Sequence, residues 1–500
     1  MNNTGSGNRM PDIRNHTGIN RKTALWVSLF ALAFLAVNLY LISVKDTLIF
    51  SLFPLVIILI YLYFTSLEKV LLLTAFLVPL SINLNDFDYN IALSLPSEPL
   101  LAGLLLMYLL FSIHSGKSWR ELRSHPVSVA FYIYFIFLFL ASITSQMPMV
   151  SWKFFLAHLW LIVPVFFLGT RIFYEKPKMQ QVFILTQVFA LFIVVLYTLG
   201  RHAGYGFADQ EGQWVMQPFY KSHAMYGAAL SMFIPIIFMI ATEKSRPFFQ
   251  RFLLFIVLFV FALGLIFSYS RAAWLGFLVA FGLGLIISLR IKFKYLLITF
   301  FSLILIALIF QKQIIRSLEK NEQDSSENLT ENLESISNIS TDASNLERLN
   351  RWSCAVRMTR DFPFTGTGPG TYQFLYAPYQ LSREQTIIST NAGTLGNAHS
   401  EFLGPMAESG IPGMLSVVFL VTIIFVTGFK TYIYLRINDP QKARILLGVI
   451  LGLVAYFVHG IMNNYLDNDK LALPVWGFAA VIVAMNLKMR KELEEKKKEE

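Results

Sequence analysis

"FLLFIVLFVFALGLIFSYSRAAWLGFLVAFGLGLIISL", residues 252–289, holds two apolar runs around a single charge, Arg271. A helix of about 20 residues crosses a hydrocarbon core of roughly 30 Å while satisfying its own backbone hydrogen bonds. Each run is close to that length, so the "SYSR" turn between them falls at a membrane boundary. Arg271 then sits at that boundary, where a charge is costly unless it reaches the interface or meets a partner.

The same pattern recurs along nearly the whole chain. Its 500 residues are 55% hydrophobic and 14% charged, with a mean hydropathy of +0.56, which excludes an ordinary soluble domain. A transmembrane β-barrel would show alternating segments of about ten residues, and none are evident. The expected fold is an all-α polytopic membrane protein with about 14 transmembrane helices. They are expected near 24–43, 48–65, 70–84, 95–113, 127–145, 152–170, 181–199, 223–242, 252–269, 272–289, 295–311, 411–435, 445–463 and 472–487. The organisation is read as a 1–23 cytoplasmic tail, eleven helices over 24–311, a long external loop over 312–410, three helices over 411–487 and a charged tail over 488–500.

Charge sets the orientation. Lys117, Arg120 and Arg123, then Arg171, Lys176 and Lys178, Lys244, Arg246 and Arg251, Arg290, Lys292 and Lys294, and Arg436, Lys442 and Arg444 fall in alternate connections. The positive-inside rule places these connections and both termini in the cytoplasm. The net charge of +10 therefore reports topology and contact with the lipid bilayer, and no nucleic-acid partner is expected. The polar first 23 residues carry Arg14, Arg21 and Lys22. No small-residue cleavage site follows, so the first helix is expected to be retained.

The opposite side holds two long connections, about 200–222 and about 312–410. The longer opens on "SLEKNEQDSSENLTENLESISNISTDASNLER", which reads as a flexible spacer or a loosely packed surface helix. Next comes an amphipathic stretch and then "FPFTGTGPGTY", glycine-rich enough to bring backbone N–H groups near a ligand. "NAHSEFLGPMAESGIPG", residues 397–413, follows and leads into an apolar run. Cys354 is the only cysteine, so no intramolecular disulfide forms and burial as a small hydrophobe is expected. The eight histidines show no zinc-helix spacing, and neither a catalytic metal nor a cofactor is expected.

"ERLNRWSCAVRM", "DFPFTGTGPGTY" and "NAHSEFLGPMAESGIPG" together resemble the signature region of the O-antigen ligase and polymerase superfamily. "SYSRAAWLG" is similar to that family's second signature, and the resemblance runs over roughly residues 200–470. It implies a metal-independent membrane glycosyltransferase of the bacterial inner membrane, with its active site on the periplasmic side. The donor would be a glycan on a polyprenyl (undecaprenyl) diphosphate carrier. The acceptor would be lipid A core for a ligase, a second carrier-linked glycan for a polymerase, or a protein hydroxyl. A polytopic lipid-glycan transporter is the alternative from another class. No internal repeat is evident, and the candidate charges collect on the outer side instead of mid-membrane, which speaks against it.

Such a reaction must neutralise a departing diphosphate and take a proton from a sugar hydroxyl. Arginine suits the first task through its planar fork, and the resemblance points to Arg271 and Arg348. Histidine suits the second, and the resemblance points to His399. Trp352 lies four residues after Arg348 and shares its helical face. Asn397, Ser400 and Glu401 are placed to orient the His399 ring, and Trp352, Asn397 and Glu401 are read as substrate-binding. In the shorter connection Trp214 is a candidate for stacking on sugar rings, and Arg201, Lys221 and His223 for meeting phosphate or acidic sugars. Asn463, Asn464, Asp467 and Lys470 are read as helix-end capping residues.

Overall fold

The computed structural model describes residues 21–87, 93–115, 119–291, 343–385, 389–390 and 395–499. The expected span at 295–311 and most of the polar stretch before residue 343 lie outside these residues. Two compact units are present, Met1–Ser66 and Leu67–Glu500. In the first, helix α1 (Arg21–Lys45) and helix α2 (Phe53–Thr65) are joined by a 3-10 turn. Phe34, Phe50 and Phe53 stack there, and Ser51 Oγ donates to Asn38 Oδ1 at 3.0 Å.

The second unit runs α3 (Leu67–Leu77), a short antiparallel hairpin pairing Ile82 with Leu95, α4 (Ser97–Ser115), α5 (Arg120–Arg123), α6 (Pro126–Ile143) and α7 (Pro148–Ile162). A π-turn then leads into α8 (Gly169–Glu175), followed by α9 (Lys178–Ala203), α10 (Asp209–Gly212), α11 (His223–Ala241), α12 (Phe248–Ile266) and α13 (Arg271–Ser288). After the undescribed segment come α14 (Ala343–Asp361), α15 (Tyr372–Leu375), α16 (Leu403–Asn438), α17 (Pro440–Gly460) and α18 (Asp469–Glu499). The chain is thus an all-α polytopic membrane protein.

Among the described residues, 11 helices are long and apolar enough to cross a membrane, and Phe50–Thr65 is a shorter apolar helix. The span expected at 70–84 is corrected: α3 stops at Leu77. Pro79 cannot continue the backbone ladder, and the Lys470 ammonium donates to the carbonyls of Val78 at 3.2 Å and Ser81 at 2.6 Å. The span expected at 411–435 belongs to a longer element. Gly410, at φ 70 and ψ −176, divides α16 into a short turn of helix from Leu403 and the apolar run beyond it.

Helices α11, α17 and α18 form the buried centre, and small residues let the backbones close up. A Cβ on Gly276 would stand 2.4 Å from the Ala455 carbonyl oxygen, and one on Gly452 would stand 2.5 Å from that of Met232. At one end of the bundle His125 Nε2 meets Asn486 Oδ1 at 3.0 Å, and Asn486 Nδ2 donates to Thr431 at 2.8 Å. Glu243, Arg246, Gln441 and Arg444 share that end, with Arg246 paired to Glu243 at 2.6 Å. Burial pushes the His125 pKa down to about 4, so its neutral imidazole belongs to the fold. The described residues of the 200–222 and 343–402 connections lie at the other end.

Candidate functional site

Helix α14 and the 395–402 segment are tied together through Arg351. Its guanidinium pairs with Glu347 at 2.8 Å, both side chains 6% exposed, and donates to the Asn397 carbonyl at 2.9 Å. It also lies over the Tyr376 ring at 5.2 Å, while Ser389 Oγ donates to the other Glu347 oxygen. Gly396 is required where it stands, since a Cβ there would meet Arg351 Nη1 at 1.9 Å.

This clamp sets the backbone of His399. The residue adopts φ 51, a left-handed conformation that costs a side-chain-bearing residue about 1–2 kcal/mol. Trp352 Nε1 donates to the His399 carbonyl at 3.2 Å, and the His399 N–H donates to Asn397 Oδ1 at 3.2 Å. Burial, then the Arg351 and Arg348 cations, push the His399 pKa down to about 3, with the Asn463 side chain acting in the opposite sense. The ring is therefore neutral across the physiological range, with one nitrogen able to accept a proton.

Arg348 stands among histidines. Its charge reaches His399, His223 and His459, and His223 is also within range of Arg271. His223 Nδ1 donates to the Ser268 carbonyl at 2.9 Å, which leaves Nε2 as the acceptor of the neutral ring. Arg271 opens α13 directly after this turn. Trp274 Nε1 closes the turn on the Leu265 carbonyl at 2.8 Å, and Ser268 Oγ donates to the same carbonyl at 2.7 Å. Ser270 makes no side-chain cap at the start of α13. An arginine at a helix N-terminus faces the positive end of the macrodipole, a placement that favours an anion as neighbour.

Arg271, Arg348, His223, Trp352, Asn397 and His399 thus converge at one end of the bundle. Arg201 and Trp214 are turned to each other instead. The Arg201 guanidinium lies 4.8 Å from the Trp214 ring centroid and donates to the Gln217 carbonyl at 2.8 Å, which folds the 204–222 connection. Lys221 is exposed and within electrostatic range of Asp467.

Glu401 binds structure from its buried position. Its Oε1 accepts from Tyr456 Oη at 2.5 Å and from the amides of Tyr465 at 2.6 Å and Leu466 at 3.0 Å, and its own N–H donates to Gly460 O at 2.8 Å. Burial outweighs these bonds and pushes its pKa up to about 7. Ser400 Oγ caps the amides of Phe402 and Leu403, each at 3.3 Å, and Asn397 Nδ2 donates to Asn464 O at 3.2 Å. Asn463, expected as a helix-end cap, is buried, and its Nδ2 stands 3.4 Å from His459 Nε2.

The glycine turn also differs from expectation. Its amides are spent on protein: Gly366 N on Phe362 O at 3.0 Å, Thr367 N on Ala407 O at 3.0 Å and Gly368 N on Glu408 O at 2.8 Å. Tyr372 N donates to Glu408 Oε1 at 3.0 Å, and Gln146 N reaches Thr367 O at 3.0 Å. Gly366 (φ 65) and Gly410 (φ 70) permit the close approach, because a Cβ on Gly366 would stand 2.2 Å from the Glu408 carbonyl carbon. The turn locks the segment after α14 to the start of α16.

A membrane-spanning helical bundle with arginines and histidines gathered at one end defines the class of protein. Residues 254–418, about a third of the chain, match the family model described as O-Antigen ligase. The match supports membership of the O-antigen ligase superfamily and points to a membrane glycosyltransferase-like enzyme. It takes in Arg271, Arg348, Trp352, Asn397, His399 and Glu401 and stops short of Asn463. No curated protein matches the chain.

Proposed function

We propose that this protein transfers a glycan from a polyprenyl (undecaprenyl) diphosphate carrier to an acceptor hydroxyl on the periplasmic face of the bacterial inner membrane, with lipid A core as the acceptor. The observation that carries this reading is the convergence of Arg348 with His399 and His223, and of His223 with Arg271. His399 takes the proton of the acceptor hydroxyl as the oxygen attacks the anomeric carbon. The bond from that carbon to the diphosphate breaks, and its electron pair leaves with the carrier. Arg271 and Arg348 stabilise the departing charge from fixed positions, and a single displacement inverts the anomeric configuration.

The low basicity of His399 fits this order of events. Burial is the largest cause, followed by the Arg351 and Arg348 cations, and a diphosphate bound at Arg348 offsets the second of these cations. The ring then becomes a stronger base once donor is in place.

The test is full-length protein in nanodiscs with a polyprenyl diphosphate glycan, offered lipid A core and, separately, a second carrier-linked glycan. Glycosylated core is the expected product. Chain growth on the carrier instead makes the protein a polymerase, and transfer to neither acceptor by protein that still binds the carrier overturns the proposal.

A further inference from the structure

A cavity of about 40 Å³ lies between α4, α7 and the start of α18. Glu98, His158, Asp467 and Asp469 line it, with Trp160 beside them, and none of these belongs to the site proposed for transfer. Asp469 is 6% exposed, and neither of its carboxylate oxygens has a hydrogen-bond partner among the described residues. A buried carboxylate without a partner is among the most costly groups a protein can hold. Packing alone does not explain it, since an apolar side chain of similar volume avoids that cost.

Apart from the Trp160 indole, the rest of the polar lining also accepts. His158 is 5% exposed, and its Nδ1 donates to the Phe154 carbonyl at 3.0 Å, so Nε2 of the neutral ring carries a lone pair. Glu98 Oε1 receives the Ser94 amide at 3.2 Å. Lys470 follows Asp469 in sequence but turns its ammonium to the Val78 and Ser81 carbonyls and to Ser81 Oγ. The lysines within electrostatic range of Glu98 and Asp467, Lys153 and Lys221, are exposed. Among the described residues no ion pair joins any of the three carboxylates to a cation.

The missing occupant is therefore a donor with positive charge. Among the described residues no three acidic or histidine groups are gathered as ligands of one metal ion. Metal–oxygen bonds of about 2.0–2.6 Å crowd their ligands together, whereas the three N–H groups of an ammonium each reach an acceptor about 2.7–2.9 Å away. An ammonium head is about the size of a water molecule, which a cavity of this volume holds. We propose that the cavity binds a primary ammonium group, with Asp469 as its main acceptor and Glu98 and His158 Nε2 completing the set. Asp467, exposed at the opening, draws the cation in. The ammonium of a phospholipid ethanolamine headgroup and that of a free amine share this chemistry.

Calorimetric titration of the full-length protein in detergent tests this, with short-chain phosphatidylethanolamine, short-chain phosphatidylcholine, ethanolamine and MgCl2 as separate probes. Saturable binding of phosphatidylethanolamine at least about tenfold tighter than phosphatidylcholine is expected, because a quaternary head has no N–H to donate. Binding of the phospholipid without ethanolamine identifies a lipid as the source, and binding of both shows that the ammonium itself suffices. Asp469→Asn is expected to weaken amine binding about tenfold or more, the loss of a charge-assisted bond, and Glu98→Gln about threefold. The Glu98 variant carries the test on its own should Asp469→Asn fail to fold. Binding of neither amine, phosphatidylcholine bound as tightly as phosphatidylethanolamine, or amine affinities unchanged in both variants would overturn the proposal. So would Mg2+ that binds the wild type and not Asp469→Asn while neither amine binds, since the cavity would then be a metal site.

Discussion

Replacing His399 with alanine is expected to lower glycan transfer by about 10²–10⁴-fold, the range that a positioned base contributes, while carrier binding changes by no more than a few-fold. The separation follows from the geometry. The backbone of His399 is held by Trp352, and by Asn397 through its side chain, and alanine keeps both bonds. The arginines proposed to meet the diphosphate come from other elements, α13 and α14.

The pH dependence has a definite sign. With a free-protein pKa of about 3, His399 stays neutral through the ordinary working range, so kcat/KM should show no loss near pH 6.5 on the acid side. Bound diphosphate raises the pKa of the ring, and kcat should show its acid limb at a higher pH than kcat/KM does. Carrier binding measured beside single-turnover transfer for His399→Ala checks the first statement, and the two profiles of the wild type check the second. An Ala variant that transfers normally would remove His399 from the chemistry.

Arg351→Met should be the most damaging change to the architecture of the site. Glu347 is left as a buried charge without its partner, which costs about 3–5 kcal/mol, and the Asn397 carbonyl loses the guanidinium that holds it. The expected result is a lowered melting temperature in detergent together with loss of transfer. Adding Glu347→Gln removes the stranded charge and should recover much of the stability. Transfer should stay low, because the 395–402 segment still lacks its anchor. Equal recovery of stability and transfer would show that Arg351 acts only through Glu347.

The helical plan was legible because each crossing demands a long apolar run, and few soluble arrangements write that pattern. The exceptions have local causes. The third span was overread because "VPL" continues the hydropathy of α3, whereas Pro79 and the distant Lys470 end the helix. In "SGIPG" Gly410 breaks the helix with a backbone that only glycine adopts easily. In the candidate site, the spacing from Arg348 to Trp352 put both on one face, and Trp352 does reach the backbone of His399. Asn463 could not be found that way. It lies 64 positions after His399, in the Gly460–Leu466 turn to which Glu401 pins the 395–402 segment. Glu401, Arg201 and Trp214 carry residue types suited to ligands, but their polar or aromatic groups are committed to the protein. A sequence shows which groups are available and leaves open which are already satisfied.

The reaction itself is most directly tested by following the carrier. Wild-type protein in nanodiscs would be mixed with a polyprenyl diphosphate glycan and its acceptor, and the lipid products separated over time. Release of glycan-free polyprenyl diphosphate in step with glycosylated acceptor is the predicted result. Glycan that reaches the other leaflet still joined to its intact carrier, with no free diphosphate lipid formed, would contradict a transferase and point to transport.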